Sequence, residues 1–254
     1  MKLYSWNVNG YHACSRHGGL DVLLRTCPDI ICLQEVKASQ PEALDDIFTW
    51  DYEKYHSLSE KKGHHGVSVL TRAAPERVEY GIGLDRFDRD GRFLCLEYRS
   101  FVLINVYMPH GSRDKHELPY KLDAYAGLRA YLKELLRGEK PVLLAGDFNV
   151  AHTELDLERV RDNQGNIMFT EEERNAFGSL LSVGLTDVFR VHRPTAKEYS
   201  WWPYAFRARE RNVGWRLDYL MISKNGFQVR EVRLCKEIPG SDHCPVYAEM
   251  SPWE

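Results

Sequence analysis

Short apolar runs recur along the whole chain, each bounded by polar or turn-forming residues. Strand-like runs fall at residues 2–6, 30–34, 67–71, 93–98, 101–107, 142–145, 217–222, 229–235 and 246–250. Helical patterns fall between them, at 19–26, 41–48, 119–137 and 170–183. In the third, Leu122, Tyr125, Leu128 or Arg129, Leu132 and Leu136 keep helical spacing, with charges on the other face. Thr170 with Glu173 reads as a capping box that opens the fourth. Only Arg99-Ser100 separates the runs at 93–98 and 101–107, which predicts an antiparallel pair. Other runs are joined by helices, so mixed sheets covered by helices are expected. There is no low-complexity linker, charge block or clear repeat, and one domain over residues 1–254 is expected.

Composition narrows the class without naming it. The chain has 254 residues, 43% hydrophobic and 28% charged, enough to bury a sizeable core. The formal net charge of −3 means that any surface for nucleic acid must be local. Cys14, Cys27, Cys32, Cys95, Cys235 and Cys244 form no Cys-x-x-Cys pair, and several lie inside apolar runs. They read as reduced, mostly buried thiols. No stretch approaches the length of a membrane span, and the first residues read as a strand, not a signal peptide. A cytoplasmic protein is expected. With no separate dimerisation segment, a monomer is expected too.

The chemistry lies at the ends of the apolar runs. Gly146-Asp147-Phe148-Asn149 follows the run ending at Ala145, and Asp147 and Asn149 point the same way, two residues apart. Gly146 is read as permitting a sharp exit from the strand. A carboxylate beside a neutral amide suits a held water and a charged phosphoryl group. Asn7 and Asn9, Glu35, Tyr107 and Asp218 stand at other strand ends, and Gly240-Ser241 and Pro245 frame a loop carrying Asp242-His243. Loops at one edge of a sheet are the usual place for α/β active sites. Carboxylates and amides without Cys or His pairs suit a hard, oxygen-seeking cation, Mg²⁺ or Mn²⁺. Asp242 is read as helping to bind that cation while His243 faces the phosphate. Asp218 is suited to hold the His243 imidazole in one tautomer and to stabilise its protonated form.

Residues 201–216 interleave rings with guanidinium groups. Arginines suit phosphate oxygens, and rings suit a base, a sugar or a gap in a base stack. Trp202, Phe206, Arg209 and Trp215 are the candidate DNA contacts there. Arg159, Arg161, Asn163 and Asn166 extend a backbone-contacting face. His64 lies in a glycine-flanked loop at 61–66 that reads as phosphate-touching, since adjacent histidines do not easily face one ion. Arg113, at the start of 113–116, reads as a DNA contact or as part of a solvated loop.

These strings resemble the exonuclease III/apurinic-apyrimidinic endonuclease family, within the endonuclease/exonuclease/phosphatase superfamily. The matching residues are Trp6-Asn7-Val8-Asn9-Gly10, Gln34-Glu35, Gly146-Asp147-Phe148-Asn149-Val150-Ala151-His152, Asn212-Val213-Gly214-Trp215-Arg216-Leu217-Asp218-Tyr219 and Gly240-Ser241-Asp242-His243-Cys244-Pro245. They run in family order from near the first residue to near the last. The resemblance implies a four-layered α/β sandwich of two packed mixed β-sheets flanked by helices. It implies a metal-dependent nuclease that cuts DNA 5′ to abasic sites, with 3′→5′ exonuclease and 3′-phosphodiesterase action on blocked ends. Five positions depart from the common pattern: His110 after Tyr107-Met108-Pro109, His64-His65 in the glycine-flanked loop, Ala205 where some relatives are bulky, and Asn9 where some carry aspartate.

With that resemblance, Asn7, Glu35 and Asp242 are expected around Mg²⁺, with Mn²⁺ as an alternative and a second metal near Asp147 and Asn149 left open. Asp147 would orient or deprotonate water, and Asn149 would hold it. His243, oriented by Asp218, would stabilise charge developing on phosphorus. Tyr107 would act as a donor or as a phenolate. A small pocket from Phe206, Trp215 and Leu217 or Trp202 would take a flipped abasic sugar. Asn9, His64, His110 and the residues at 113, 163 and 166 would touch the DNA. Two other readings stand beside this one: a phosphodiesterase of the superfamily acting on another substrate, and an inactive nuclease scaffold that binds nucleic acid or a partner.

Overall fold

Strand alternation decides how this chain packs. The computed structural model describes residues 1–45 and 52–252. Among them the strands are β1 (Lys2–Asn7), β2 (Ile30–Gln34), β3 (Glu53–Ser57), β4 (Val67–Thr71), β5 (Arg77–Glu79), β6 (Phe93–Glu97), β7 (Val102–Tyr107), β8 (Val142–Asp147), β9 (Leu185–Asp187), β10 (Asp218–Ser223), β11 (Phe227–Leu234) and β12 (Val246–Pro252). They form two six-stranded sheets, ordered β11-β12-β1-β2-β4-β3 and β5-β6-β7-β8-β10-β9. Each sheet is antiparallel except for one central parallel pair, β1 with β2 and β7 with β8.

Alternate residues of each central strand face opposite layers. Leu3, Ile30, Cys32, Val67 and Val69 of the first sheet meet Leu94, Leu96, Leu103, Leu143 and Leu220 of the second in one buried core. The intervening residues face outward. Tyr4, Trp6, Ile31 and Leu33 pack under α1 (Tyr11–Arg16) and α2 (Gly19–Leu24). The short helices α3 (Glu42–Asp45) and α4 (Asp85–Arg89) follow. Ile104, Val106, Val142 and Leu144 pack under α5 (Leu118–Leu135) and, beyond α6 (Val160–Asn163), under α7 (Glu171–Ser182). The last helix is α8 (Val188–His192). The layers are therefore helix, sheet, sheet, helix, as expected.

The 99–100 link closes an antiparallel hairpin of β6 and β7, and Thr170 and Glu173 form the reciprocal capping box. Strands β3, β5 and β9 are unannounced by the sequence. The first reads Glu-Lys-Tyr-His-Ser with no apolar alternation, and the other two are three-residue pieces at the edges of a sheet. The helix expected at 41–48 is seen over Glu42–Asp45, and its remainder lies outside the described residues. Gly146 plays a different part from the one expected. Strand β8 continues through it to Asp147, and a Cβ there would sit 2.0 Å from the Val106 carbonyl oxygen. Close approach of two backbones, not an exit turn, requires the glycine.

Helix α5 also departs from a simple amphipathic pattern. Lys121 is fully buried, ion-paired with the equally buried Glu173 of α7. Its ammonium also donates to the carbonyls of Asn149 at 2.6 Å and His110 at 3.2 Å. Removing one partner of a buried pair strands the other charge, at about 3–5 kcal/mol. Lys121→Met is expected to lower unfolding free energy in urea by about that amount. Lys121→Met with Glu173→Gln is expected to recover part of it, because the stranded charge is gone. Equal losses in the two variants would show that the pair's charge is not what matters.

Candidate active site

At one end of the sandwich, the inward-facing position of each central strand changes from apolar to polar. On β1 the inward series is Leu3, Ser5, Asn7; on β7 it is Leu103, Asn105, Tyr107; on β8 it is Leu143, Ala145, Asp147. Strand β10 runs antiparallel to β8 and pairs Asp218 with Asp147, so its first residue arrives at the same end. Just beneath, Gln34 and Asn105 tie the two sheets together. Gln34 Nε2 donates to Asn105 Oδ1 at 2.7 Å, and Asn105 Nδ2 donates to the Leu33 and Ser68 carbonyls.

The centre is a buried trio. His243 Nδ1 and Asp218 Oδ2 are 2.8 Å apart, and His243 Nε2 stands 3.9 Å from Asp147 Oδ2. Asp147 Oδ1 accepts the Asn149 backbone N–H at 2.8 Å, and Oδ2 accepts Asn7 Nδ2 at 2.8 Å. Burial first, and then the neighbouring Asp218 charge, pushes the Asp147 carboxyl up to about 7. Burial alone would lower the His243 imidazole, but the carboxylates of Asp218 and Asp147 outweigh it and raise it to about 10. The imidazolium is therefore the resident form at neutral pH, facing a carboxyl group that can exchange its proton there.

A second group adjoins through Asn7, whose amide nitrogen also donates to Glu35 Oε1 at 2.8 Å. Burial works to raise the Glu35 carboxyl, but Lys37, 3.0 Å from Oε2, and donors including Asn7 and Tyr107 bring it below its ordinary value. Burial, then Glu35 and Asp147, pushes the Tyr107 phenol well above its usual range. Tyr107 is thus held as a hydroxyl donor, not a phenolate. Arg92 stacks over its ring at 4.8 Å and donates to its carbonyl. Asn9 at φ 45°, Glu35 at φ 50°, Lys37 at φ 52° and Asn149 at φ 51° occupy the left-handed region. Such conformations persist only where the surroundings fix them, and they cluster at functional sites. Lys121 fixes one of them by gripping the Asn149 carbonyl from behind.

The residues suit a hard cation. The donors are oxygen-rich, and Asp147, Asp218 and His243 present potential ligand atoms within 4.8 Å of one another. Asp218 Oδ1 is buried with no hydrogen-bond partner among the described residues. Two of the expected ligands already carry hydrogen bonds. Asn7 offers its amide nitrogen to the carboxylates of Glu35 and Asp147 while its oxygen accepts the Asn9 N–H. Asp242 is occupied elsewhere, accepting from Asn9 Nδ2, Ser241 Oγ and Trp201 Nε1.

The expected DNA contacts divide. His64, Arg113, Asn166 and Phe206 are exposed; Asn9, His110, Asn163 and Trp215 are half-buried at the surface. Trp202 is not a surface residue: it is 2% exposed and belongs to the inter-sheet core. Arg209 stacks on it, with its guanidinium used up on the carbonyls of Ser241, Lys236 and Ile238. Arg216, inside the basic stretch, is buried between Asp156 and Asp187, each at 2.8 Å. The ring that replaces Trp202 is its neighbour Trp201, 6.5 Å from Trp215 and 6.3 Å from the His243 ring. Trp201, Trp215 and Leu217 share one apolar cluster, and the Trp201 ring also meets His243 of the trio. Sequence shows two adjacent tryptophans but not which one faces out. Lys37, Lys121 and Arg92 carried no motif signal at all.

A model of the endonuclease/exonuclease/phosphatase family matches residues 4–243. The chain is 40% identical to an exodeoxyribonuclease of Bacillus subtilis (strain 168), over 97% of this chain and 98% of that one. The chain belongs to the exonuclease III/AP endonuclease family. It is 39% identical to the DNA repair nuclease APEX1 of Danio rerio, over 97% of this chain and 81% of that protein. Among solved structures, a 3′-5′ exonuclease from Neisseria meningitidis superposes with a TM-score of 0.89 at 28% identity over 100% of both chains. An AP endonuclease from Archaeoglobus fulgidus superposes at 0.87 with 27% identity over 99% of both. Members of this family are hydrolases, and this chain is a nuclease-type hydrolase.

The His243 proton gives a direct check. Its folded value of about 10 lies above the ordinary 6.5. Its contribution to stability is therefore fully present below about 6.5 and is lost as pH rises through about 10. In metal-free protein, ¹⁵N NMR of the ring at pH 7.5 is expected to show imidazolium, and Asp218→Asn is expected to return it to the neutral form. A neutral ring in the wild-type protein would overturn this assignment.

Proposed function

We propose that this protein hydrolyses the phosphodiester bond 5′ to abasic sites in duplex DNA, leaving a 3′-hydroxyl and a 5′-phosphate. The same site would trim blocked or mismatched 3′ ends. The observation that carries the reading is the buried Asp147–His243–Asp218 trio beside an apolar cluster that includes Trp201, Trp215 and Leu217. An abasic sugar has no stacking or pairing to lose, so it leaves the helix cheaply. Trp201 and Trp215, backed by the buried Leu217, would receive it.

Roles follow from the contacts. Asp147 orients the attacking water and accepts its proton, since its carboxyl titrates near neutrality. Asn149 holds that water beside it. The His243 imidazolium, kept charged by Asp218, neutralises charge on the phosphoryl oxygens. Tyr107 donates its hydroxyl to the same group. Mg²⁺, with Mn²⁺ able to replace it, would be held by Glu35, with the Asp147 side of the trio as a second position, and would supply charge neutralisation at the phosphate. Asn7 keeps the two carboxylates at their spacing. His64, His110, Arg113, Asn163 and Asn166 line the approach for the DNA backbone.

The deciding experiment is cleavage of a labelled duplex with one tetrahydrofuran site, in Mg²⁺ and in EDTA, beside undamaged duplex. A single metal-dependent cut 5′ to the analogue is expected. Binding without cleavage in any metal would favour an inactive scaffold instead. Asp147→Asn or His243→Asn is expected to lower single-turnover rates by roughly a hundredfold or more, with DNA affinity little changed. Near-normal turnover in either would overturn these roles. Trp215→Ala is expected to harm abasic incision more than 3′-end trimming, and equal losses would argue against its part in lesion recognition.

A further inference from the structure

We propose that a cavity on the far side of Trp215 binds a single unpaired nucleobase, the one left without a partner opposite an abasic site. The proposal rests on the function given above. The cavity holds about 450 Å³ and lies between α6 and the loop over residues 203–215. Its walls include Trp215, Phe206, Ala205 and Val213, and Arg159 and Arg211 stand among its lining residues. Flat aromatic and small apolar walls suit a heteroaromatic ring, and exposed cations beside them suit the phosphates on either side of it.

Two features of the lining point to a ligand. Phe206 is 86% exposed, an expensive position for a ring, and it is fixed there in the left-handed region at φ 59°, followed by Arg207 at φ 51°. Trp215 also links the cavity to the active site, because Trp201 contacts both Trp215 and His243.

An abasic lesion supplies one base with nothing to pair with, and extruding it costs only its stacking. Trp215 would then separate two guests, the baseless sugar on the catalytic side and the orphaned base on the other. The small Ala205 leaves the space that such a base would fill.

The test is binding by fluorescence anisotropy in EDTA, using two duplexes. In one, tetrahydrofuran faces adenine; in the other it faces a second tetrahydrofuran, so no orphaned base exists. Wild-type protein is expected to bind the first about tenfold more tightly, the low end for stacking one base on an aromatic side chain. Ala205→Trp, an exposed site where the indole fills the cavity, is expected to abolish that preference. Phe206→Ala is expected to reduce it. Differences inherent to the two duplexes are common to all three proteins and cancel in the comparison. No preference in the wild type, or an undiminished one in Ala205→Trp, overturns the proposal. Cleavage of the adenine-opposed duplex in Mg²⁺ is scored separately. Cutting without base preference sinks only the cavity assignment, whereas no cutting at all sinks the nuclease reading.

Discussion

Everything at this site depends on two sheets being packed face to face with their polar inward positions gathered at one end. A strand has a period of two, so each side chain facing the core commits the residue two further on to the same layer. Over most of their length that layer is closed by leucine, isoleucine, valine and cysteine. At the last inward positions the chain places Asn7, Tyr107 and Asp147, and β10 delivers Asp218 by antiparallel pairing. A register slip of one residue in β8 would turn Asp147 toward α5 and replace it with an apolar neighbour. The site's geometry is thus fixed by the same packing that fixes the fold.

Bringing these groups together creates an electrostatic problem that the site turns to use. Two carboxylates, Asp147 and Asp218, are buried beside each other, and neither salt nor water screens them. The His243 proton sits between them and is held against the pull of desolvation. The Asp147 carboxyl is left near neutrality, where it can both lose and accept a proton. Around Glu35 the solution differs: Lys37 supplies a fixed positive charge, and Asn7 links the two clusters through one neutral amide. Neutral donors at the seam avoid adding a further charge to a buried site.

Most of the fold and much of the site could be read before any coordinates. Long apolar runs with clear alternation announced the central strands, because those strands are buried on both faces. Edge strands β3, β5 and β9 left no such trace, since one side or one end of each meets solvent. Motif residues such as Asp147, Asp218 and His243 were legible because chemistry constrains their type and their place at strand ends. Their supports were not. Lys121 looks like any surface lysine of an amphipathic helix, and only the tertiary meeting of α5 with Glu173 reveals it as a clamp on the Asn149 carbonyl. Trp202 and Arg209 misled for the opposite reason. An aromatic-basic stretch looks like a nucleic-acid surface, whereas half of it here stacks inward to build the loop that presents the other half.

That inward half gives the loop the rigidity that the proposed recognition needs. A long loop is ordinarily the least rigid part of a fold. Here the Arg209 guanidinium binds three carbonyls across the gap to the 236–241 segment, and Arg216 is locked between two aspartates. Trp215 is bridged on both sides, to Leu157 and to Trp201. The basic residues that do not touch DNA therefore set the positions of the aromatic ones that would. Preorganisation of this kind matters most for a lesion defined by what it lacks, because a missing base offers no group to grip. Selectivity must come from a rigid space of the right size, and rigidity is what the two anchored arginines supply.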